Sequence, residues 1–313
     1  MFQEGLSPVS TDPRATTEYK YLQYETHDDG TIVRIVLDRV KYRNAQNRGL
    51  LVELTAAFLR AEADDDVRVV ILAGNGPVFS SGHDLGSPDY QAERNPGPDQ
   101  HWSYTCTGGT KDAVESRFHQ EWHYFYENTR RWRDLRKITI AEVHGNVFSA
   151  ALMLTWACDL IVAAEGTQFA DVVATRLGMC GVEYFGHPWE FGPRKAKELL
   201  LTGDSLDAED ARALGMVSKV FPADDLTERT LEFARRIAQV PTMAALLVKE
   251  SVNQSQDAMG FSNALDACFT IHQLNHAQWT HLSGGKAVVG TPELGMPDWK
   301  TAPPIRRADP YTP

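Results

Sequence analysis

The sequence lacks the cysteine patterns of a disulfide-rich, redox-active or zinc-ribbon protein. It has only four cysteines in 313 residues, at positions 106, 158, 180 and 268, and no two of them form a CxxC pair. In a chain of this length, such spacing is typical of reduced, buried thiols in a reducing compartment.

Long apolar segments are also lacking. The first twenty residues, MFQEGLSPVSTDPRATTEYK, contain no apolar stretch of the kind found in a signal peptide. The longest apolar run covers residues 150–157, is interrupted by Thr155 and is too short to span a bilayer. We therefore predict a cytoplasmic protein with no membrane partner.

An excess of positive charge is absent as well. Asp and Glu number 42 against 31 Lys and Arg, which gives a formal net charge of -11. A non-specific nucleic-acid binder needs a basic face, so no nucleic-acid partner is predicted. A local basic pocket for a phosphate group remains compatible with this charge.

Alternating strand and helix patterns predict the fold class. Residues 31–38 alternate and are rich in β-branched side chains, whereas residues 67–73 form a continuous apolar run typical of a buried parallel strand. Residues 49–63 carry apolar side chains at helical spacing. Further strands are predicted at 139–143 and 160–164, with a helix at 149–158 between them. This alternation favours an α/β fold with a mostly parallel sheet.

Composition divides the chain into four segments. Residues 1–18, rich in Pro, Ser and Thr, are predicted to form an N-terminal arm, and residues 19–222 the core. The irregular stretch 85–110 within the core is typical of a lid or an insertion, and a long helix is predicted from 111 to 136. Three further helices predict a C-terminal helical layer over 223–282, followed by an extended tail over 283–313.

Four segments, taken in order, resemble the crotonase (enoyl-CoA hydratase/isomerase) superfamily across residues 20–282. They are LDRVKYRNA at 37–45, VILAG at 70–74 leading into FSSGHDL at 79–85, IAEVHG at 140–145 with SAA at 149–151 and CDL at 158–160, and AKELLLTG at 196–203 with AEDA at 208–211 and LGMV at 214–217. The resemblance implies a crotonase-like spiral of ββα turns with a C-terminal helical layer. It also implies an acyl-CoA thioester substrate and a homotrimer or homohexamer.

The resemblance further implies a site built from main-chain groups. It assigns the backbone N–H groups of His83 and Ala150 to the thioester oxygen, where each such donor is worth about 3–4 kcal/mol in other enzymes. It assigns Lys41, Tyr42, Arg43 and Ser81 to coenzyme A, although a solvated basic turn also explains the first three. Coenzyme A would arrive as part of the substrate, with no metal or redox cofactor.

The sequence departs from the family pattern where hydratases carry two catalytic glutamates. Hydration needs an acid and a base on either side of one water molecule. The first expected position holds Met153, and the second holds Val173, or Val172 if the segment slips by one. None of these side chains can transfer a proton, so ordinary hydratase activity is not predicted.

Glu183 is the remaining candidate for the catalytic acid or base. It lies near the register at which other superfamily members place an Asp after the glycine matching Gly178, and burial in an apolar cleft would raise its pKa. The alternative is a structural ion pair with Arg194 or Lys195. The other candidate proton carriers are Tyr184, His187 and Asp171. The side chain of His83 is interpreted as incidental.

Several functions stay open. The arrangement is compatible with isomerisation, C–C cleavage or hydration by a relocated acid, and also with a catalytically silent acyl-CoA binder or assembly subunit. His119 and His123 have the i, i+4 spacing of metal ligands, but Gln120 stands where the zincin pattern has Glu. No metal site is therefore predicted.

Overall fold

Parallel strands form most of the main sheet in the computed structural model, which describes residues 18–94, 114–284 and 304–308. The strands are β1 (Leu22–His27), β2 (Ile32–Leu37), β3 (Val69–Gly74), β4 (Ile138–Val143), β5 (Asn146–Phe148), β6 (Leu160–Ala164), β7 (Gln168–Ala170), β8 (Leu206–Asp207) and β9 (Lys219–Phe221).

The helices connect these strands and follow them. They are α1 (Arg48–Ala63), α2 (Pro88–Arg94), α3 (Val114–Glu121), α4 (Asn128–Arg133), α5 (Ala150–Trp156), α6 (Val173–Leu177), α7 (His187–Phe191), α8 (Pro193–Thr202), α9 (Ala208–Ala213), α10 (Leu226–Ala238), α11 (Thr242–Ala258) and α12 (Phe261–Ser283). A π-helical stretch, Trp122–Glu127, joins α3 to α4.

The strand order confirms the predicted α/β class. The main sheet runs β1-β2-β3-β4-β6-β9, and every pair in it is parallel except the β1–β2 hairpin. A smaller sheet has the order β5-β7-β8. All six residues of β3 are buried, as the continuous apolar run predicts for a parallel strand covered on both faces.

Helix α10 covers one face of the main sheet. Its Leu231 and Ala234 pack with Ile71, Ile140 and Val162 in a small buried cluster. A larger cluster on the other face contains α1, α5 and the first turns of α12. The predicted C-terminal helices are present as α10, α11 and α12. Within the described ranges, no helix combines the length and the apolar character needed to cross a membrane.

Helix α9 begins at Ala208, where the Asp207 side chain accepts a hydrogen bond from Asp210 N at 2.8 Å and caps the first turn. It begins there because Leu206 is buried and pairs with Phe169 in the smaller sheet, which extends the chain at Ser205.

Part of the irregular 85–110 stretch is ordered by α2. The Glu93 carboxylate accepts hydrogen bonds from Asn47 Nδ2, Arg48 N and Gly49 N at 2.7–3.1 Å. It therefore satisfies N–H groups at the start of α1 and fixes α2 there. Residues 95–110 lie outside the described part, as do the first three residues of the helix predicted from 111 to 136. From Val114 to Arg133 that helix is present as α3, the π-helical stretch and α4.

Candidate active site

The loop after β3 comes closest to helix α5 at Gly82. A Cβ atom on Gly82 would lie 2.8 Å from Phe148 O and 3.2 Å from Ala150 N, and the φ of Gly82 is +92°. Both facts restrict the position to glycine. Ala150 is the first residue of α5, so its N–H has no acceptor within the helix. Gly82, the residue before His83, thus lies against the N-terminal end of α5.

The pairing of this loop determines where the His83 N–H points. Gln46 donates its N–H to Gly82 O at 2.8 Å and accepts from Asp84 N at 3.0 Å. In a parallel bridge of this type, the N–H of the residue between the two bonded groups points to the opposite side. The His83 N–H therefore faces away from Gln46. On that side, Ser80 O accepts from Phe148 N at 3.3 Å, just before α5.

Ser149 adopts an unusual backbone conformation at the start of α5. Its φ is 52° and its ψ is -118°, a region that favours glycine and costs other residues about 1–3 kcal/mol. A hydrogen bond from Ser149 N to Ala170 O at 2.7 Å holds this turn against β7. The strained turn presents the Ala150 N–H at the helix end.

Asp84 stabilises the loop after His83. Its carboxylate accepts from Gly86 N at 3.1 Å and Ser87 N at 2.9 Å, and it lies 2.8 Å from Arg39 Nη1. Burial raises the pKa of Asp84, but these hydrogen bonds and the Arg39 charge outweigh burial and lower it below the ordinary value. Asp84 therefore acts as a loop cap.

Glu183 is buried and contacts the side chain of His83. Its Oε2 lies 3.0 Å from His83 Nε2, and its Oε1 lies 3.8 Å from His272 Nε2 on α12. The His83 ring stacks on Phe125 of the π-helical stretch, with ring centroids 3.8 Å apart. π-Helical turns are frequent at functional sites. Only the His83 side chain thus separates the Glu183 carboxylate from the His83 main chain.

Three interpretations of this pair need correction. We expected burial to raise the pKa of Glu183; burial does so, but the positive charge and hydrogen bond of His83, together with His272, outweigh it and lower the pKa below its ordinary value. The partners are these histidines and not Arg194 or Lys195. The His83 side chain, interpreted as incidental, contacts the candidate base.

His187 and Asp171 form a separate buried pair. His187 Nε2 lies 2.9 Å from Asp171 Oδ2, which also accepts from Val182 N at 3.1 Å, while Oδ1 accepts from Val173 N at 3.0 Å. The pair closes the segment between β7 and α7 that carries Glu183. Among the described residues, the contacts of Asp171 and His187 fix this segment and do not include the Glu183 carboxylate.

Tyr184 faces the C-terminal helices. Its ring packs against Phe261 of α12, with centroids 5.9 Å apart. The hydroxyl is buried and has no hydrogen-bond partner among the described residues. Burial raises its pKa far above the ordinary range, so it stays protonated. The structure brings Tyr184 to this helical layer and not to the carboxylate of Glu183.

The predicted coenzyme A residues border the loop. Ser81 N donates to Arg43 O at 3.0 Å, which joins the 41–43 turn to the loop. Lys41, Arg43 and Ser81 are exposed, and Tyr42 is half-buried beneath the Arg39 guanidinium, 4.6 Å from its ring centroid. Two cations and a hydroxyl are therefore available to a ligand that enters beside His83.

Sequence reasoning missed Glu121, His272 and His276, which cluster beside Glu183. The available signal was the i, i+4 spacing of His272 and His276, the same spacing that drew attention to His119 and His123. The structure places the exposed His119 at the end of α3 and His123 inside the π-helical stretch. Within the ranges described, the metal-type cluster does not include them.

The chain is similar to several known proteins. A family model described as "Enoyl-CoA hydratase/isomerase" matches residues 27–104 and 103–286. EchA13 of Mycobacterium tuberculosis, provisionally named an enoyl-CoA hydratase, is 70% identical over 295 residues, 94% of this chain and 93% of its own. A 4-chlorobenzoyl coenzyme A dehalogenase-2 from an Arthrobacter species is 30% identical over 251 residues, 80% of this chain and 82% of its own. The crystal structure of a probable enoyl-CoA hydratase from Mycobacterium smegmatis has a TM-score of 0.74 and 40% identity, covering 85% and 98% of the two chains.

Proposed function

The chain belongs to the enoyl-CoA hydratase/isomerase family and is an enzyme of that type, and we propose that it moves a proton beside the thioester carbonyl of an acyl-CoA, as an isomerase does. The observation that carries this proposal is the contact between Glu183 and His83 at 3.0 Å. Through this contact, the buried Glu183 carboxylate lies next to His83, whose backbone N–H faces the start of α5.

The oxyanion hole of this proposal consists of the His83 and Ala150 N–H groups. The His83 N–H faces α5, the Ala150 N–H belongs to the first residue of α5, and Gly82 allows the close approach between the loop and this helix. The positive end of the α5 dipole adds to their attraction for negative charge on oxygen. Fixed donors of this kind stabilise charge that develops in the transition state.

Glu183 is the base. A carboxylate with a lowered pKa is ionised at neutral pH and can accept a proton. The C–H bond at the α-carbon breaks, its proton moves to the carboxylate, and the electron pair moves onto the thioester oxygen. Return of the proton to the γ-carbon of a 3-enoyl thioester would shift the double bond to the 2,3 position.

Isomerisation is favoured over hydration because it needs one proton carrier and no water. Met153 is buried in α5, where family hydratases carry their first glutamate, and Val172 and Val173 stand at the start of α6. Apolar side chains at these positions leave a water molecule without a flanking acid and base.

The coenzyme A moiety would lie against the exposed 41–43 turn. Lys41 and Arg43 supply positive charge for its phosphates, and Ser81 supplies a hydroxyl. Coenzyme A enters as part of the substrate in this proposal. A cytoplasmic location fits the acidic surface and the free thiols of Cys158, Cys180 and Cys268.

Gly82→Ala tests the oxyanion hole. The added Cβ would lie 2.8 Å from Phe148 O, so the loop must move away from α5, and we expect at least a tenfold loss of kcat. Gly166→Ala is the matched control, because Gly166 also has a positive φ, +78°, but nothing lies within 4 Å of its Cβ position. Equal kcat values in the two variants would argue against an oxyanion hole at His83 and Ala150.

Glu183→Gln tests the base. Purified protein is incubated with 2-enoyl-, 3-enoyl- and saturated acyl-CoA thioesters in D2O, and deuterium at the α-carbon is followed by mass spectrometry. We expect wild-type exchange to fall about 10²–10⁴-fold in the variant, the range typical of general base catalysis. Glu165→Gln, which changes an exposed carboxyl, is expected to behave as wild type.

The same assay separates the enzyme from a silent acyl-CoA binder. Binding of the thioesters without exchange or turnover by the wild type would favour the binder. Unchanged deuterium exchange in Glu183→Gln would mean that Glu183 is not the base. Hydration of the 2-enoyl thioester without exchange would mean that the enzyme is a hydratase and not an isomerase.

A further inference from the structure

A second group of titratable side chains lies on the far side of Glu183 from His83. Glu121 ends α3, and His272 and His276 occupy successive turns of α12. His272 Nε2 lies 3.6 Å from Glu121 Oε2, and His276 Nε2 lies 3.1 Å from Glu121 Oε1. The potential ligand atoms of all three residues lie within 4.8 Å of one another.

The cluster is largely closed to solvent. Glu121 is 8% exposed and His272 is 3% exposed. A buried imidazole normally has a partner on each nitrogen. His272 Nε2 points at the Glu121 and Glu183 carboxylates but has no hydrogen-bond partner among the described residues. Its position in this cluster is explained by a ligand that binds both the imidazole nitrogen and a carboxylate.

The spacing of the donors fits a transition-metal ion. Zinc binds nitrogen and oxygen ligands at about 2.0–2.2 Å, so two ligands of a tetrahedral site lie about 3.3–3.6 Å apart. The separations of 3.1 and 3.6 Å lie close to this range. Two histidines at i, i+4 present their rings on one helix face, and a carboxylate from a second helix completes a common zinc ligand set.

The surroundings support a metal ligand role for both His272 and Glu121. His272 Nδ1 lies 3.9 Å from Cys180 Sγ, so the second ring nitrogen faces a polar atom. Gln273 Nε2 donates to Glu121 Oε2 at 2.6 Å and fixes the carboxylate. Such outer contacts orient the ligands of metal sites.

We propose that Glu121, His272 and His276 bind one divalent transition-metal ion of the zinc type, which ties α3 to α12 beside Glu183. This departs from the expectation of a metal-free chain. The proposal stands on the donor geometry alone, and it holds whether or not Glu183 is the catalytic base.

Zinc binding to the full-length chain provides the test. Protein is dialysed against chelator and titrated with Zn²⁺ in competition with a chromophoric chelator, and Co²⁺ is used for its visible absorption spectrum. We expect one equivalent of Zn²⁺ per chain, an increase in Tm on its addition, and a Co²⁺ spectrum typical of four-coordinate nitrogen and oxygen ligands.

Three variants assign the ligands. His276→Gln, at the least buried ligand, and His272→Phe, which keeps a ring without nitrogen, are each expected to weaken Zn²⁺ binding at least 100-fold. His281→Gln changes an exposed histidine in the last turn of the same helix and should bind as wild type. Circular dichroism confirms that each variant is folded, and His276→Gln decides alone if His272→Phe is not.

Two results would overturn the site. One is the absence of stoichiometric Zn²⁺ and Co²⁺ binding by the wild type, which would leave the cluster as a set of ion pairs. The other is equal affinity of His276→Gln and His281→Gln. Neither result affects the exchange assay for Glu183, so the two proposals fail separately.

Discussion

Glu190 is a half-buried acid that faces no opposing charge among the residues described. It lies in α7, three residues after His187, and its side chain has no hydrogen bond or ion pair among the residues described. Burial alone raises the pKa of Glu190 to about 7. A raised carboxyl pKa means that the folded state holds a proton which the unfolded state has already lost.

Glu190 should therefore make folding pH-dependent. The folded protein is expected to lose stability as the pH rises from the ordinary carboxyl pKa towards 7, because folding then requires either proton uptake or a buried charge. Glu190→Gln should flatten this decline and raise the Tm at pH 8 relative to wild type. Glu165→Gln, at an exposed site, should leave the slope unchanged. Parallel wild-type and Glu190→Gln profiles of Tm against pH would contradict the assignment.

The candidate base shows how far residue-level sequence reasoning reaches. The position of Glu183 after Gly178 makes it the candidate base, a prediction that depends only on the family register along the chain. The direction of its pKa shift was predicted wrongly because it depends on His83 and His272, which lie 100 and 89 positions away along the chain. Partners this distant become neighbours only through the tertiary fold.

At the scale of elements, the segment between β7 and α7 determines where Glu183 lies. It contains little regular structure, and Asp171 gathers its two ends through three hydrogen bonds, to Val173 N, Val182 N and His187 Nε2. Gly181, with a φ of +120°, leaves no room for a Cβ beside Phe185. The segment is thus held by one carboxylate and one tight turn.

Asp171→Asn should loosen this segment. The amide nitrogen cannot accept from His187 or Val182, and we expect a loss of about 2 kcal/mol in the free energy of unfolding, as for other buried hydrogen bonds to a charged group. A lowered kcat should accompany it, since Glu183 then loses its fixed position. Urea unfolding and α-proton exchange measure the two effects. Asp65→Asn, an exposed change, is the control, and equal stability of the two variants would mean that Asp171 does not hold the segment.

Long periodic elements were predictable, whereas short ones were not. Strands β2, β3, β4 and β6 and helices α1 and α5 lie within a few residues of their predicted positions, because apolar periodicity reports burial directly. Strands β5, β7 and β8 have two or three residues each, too few for a period. They were missed because their pairing partners, and not their own side chains, determine them.

At the scale of the whole molecule, the C-terminal helices leave an apolar face uncovered. Helix α11 exposes Val248 and Val252, each more than 60% accessible, and Leu274 of α12 is 69% exposed. Single exposed apolar residues are ordinary, but a stripe of them on neighbouring helices is typical of a protein–protein interface. The sequence resemblance implies a homotrimer or homohexamer, and we propose that this apolar face forms its subunit contacts.

Val252→Asp should disrupt this assembly. An aspartate in the middle of an apolar contact would have to lose its hydration without gaining a partner, which costs several kcal/mol. Light scattering coupled to size exclusion should give the wild type a mass three or six times the 34.9 kDa of one chain, and the variant a smaller mass. Gln254→Asp places the same charge on the opposite face of α11 and should keep the wild-type mass. A wild-type mass equal to that of one chain would rule out the trimer and the hexamer. An unchanged mass for Val252→Asp would mean that the subunit contacts lie on another surface.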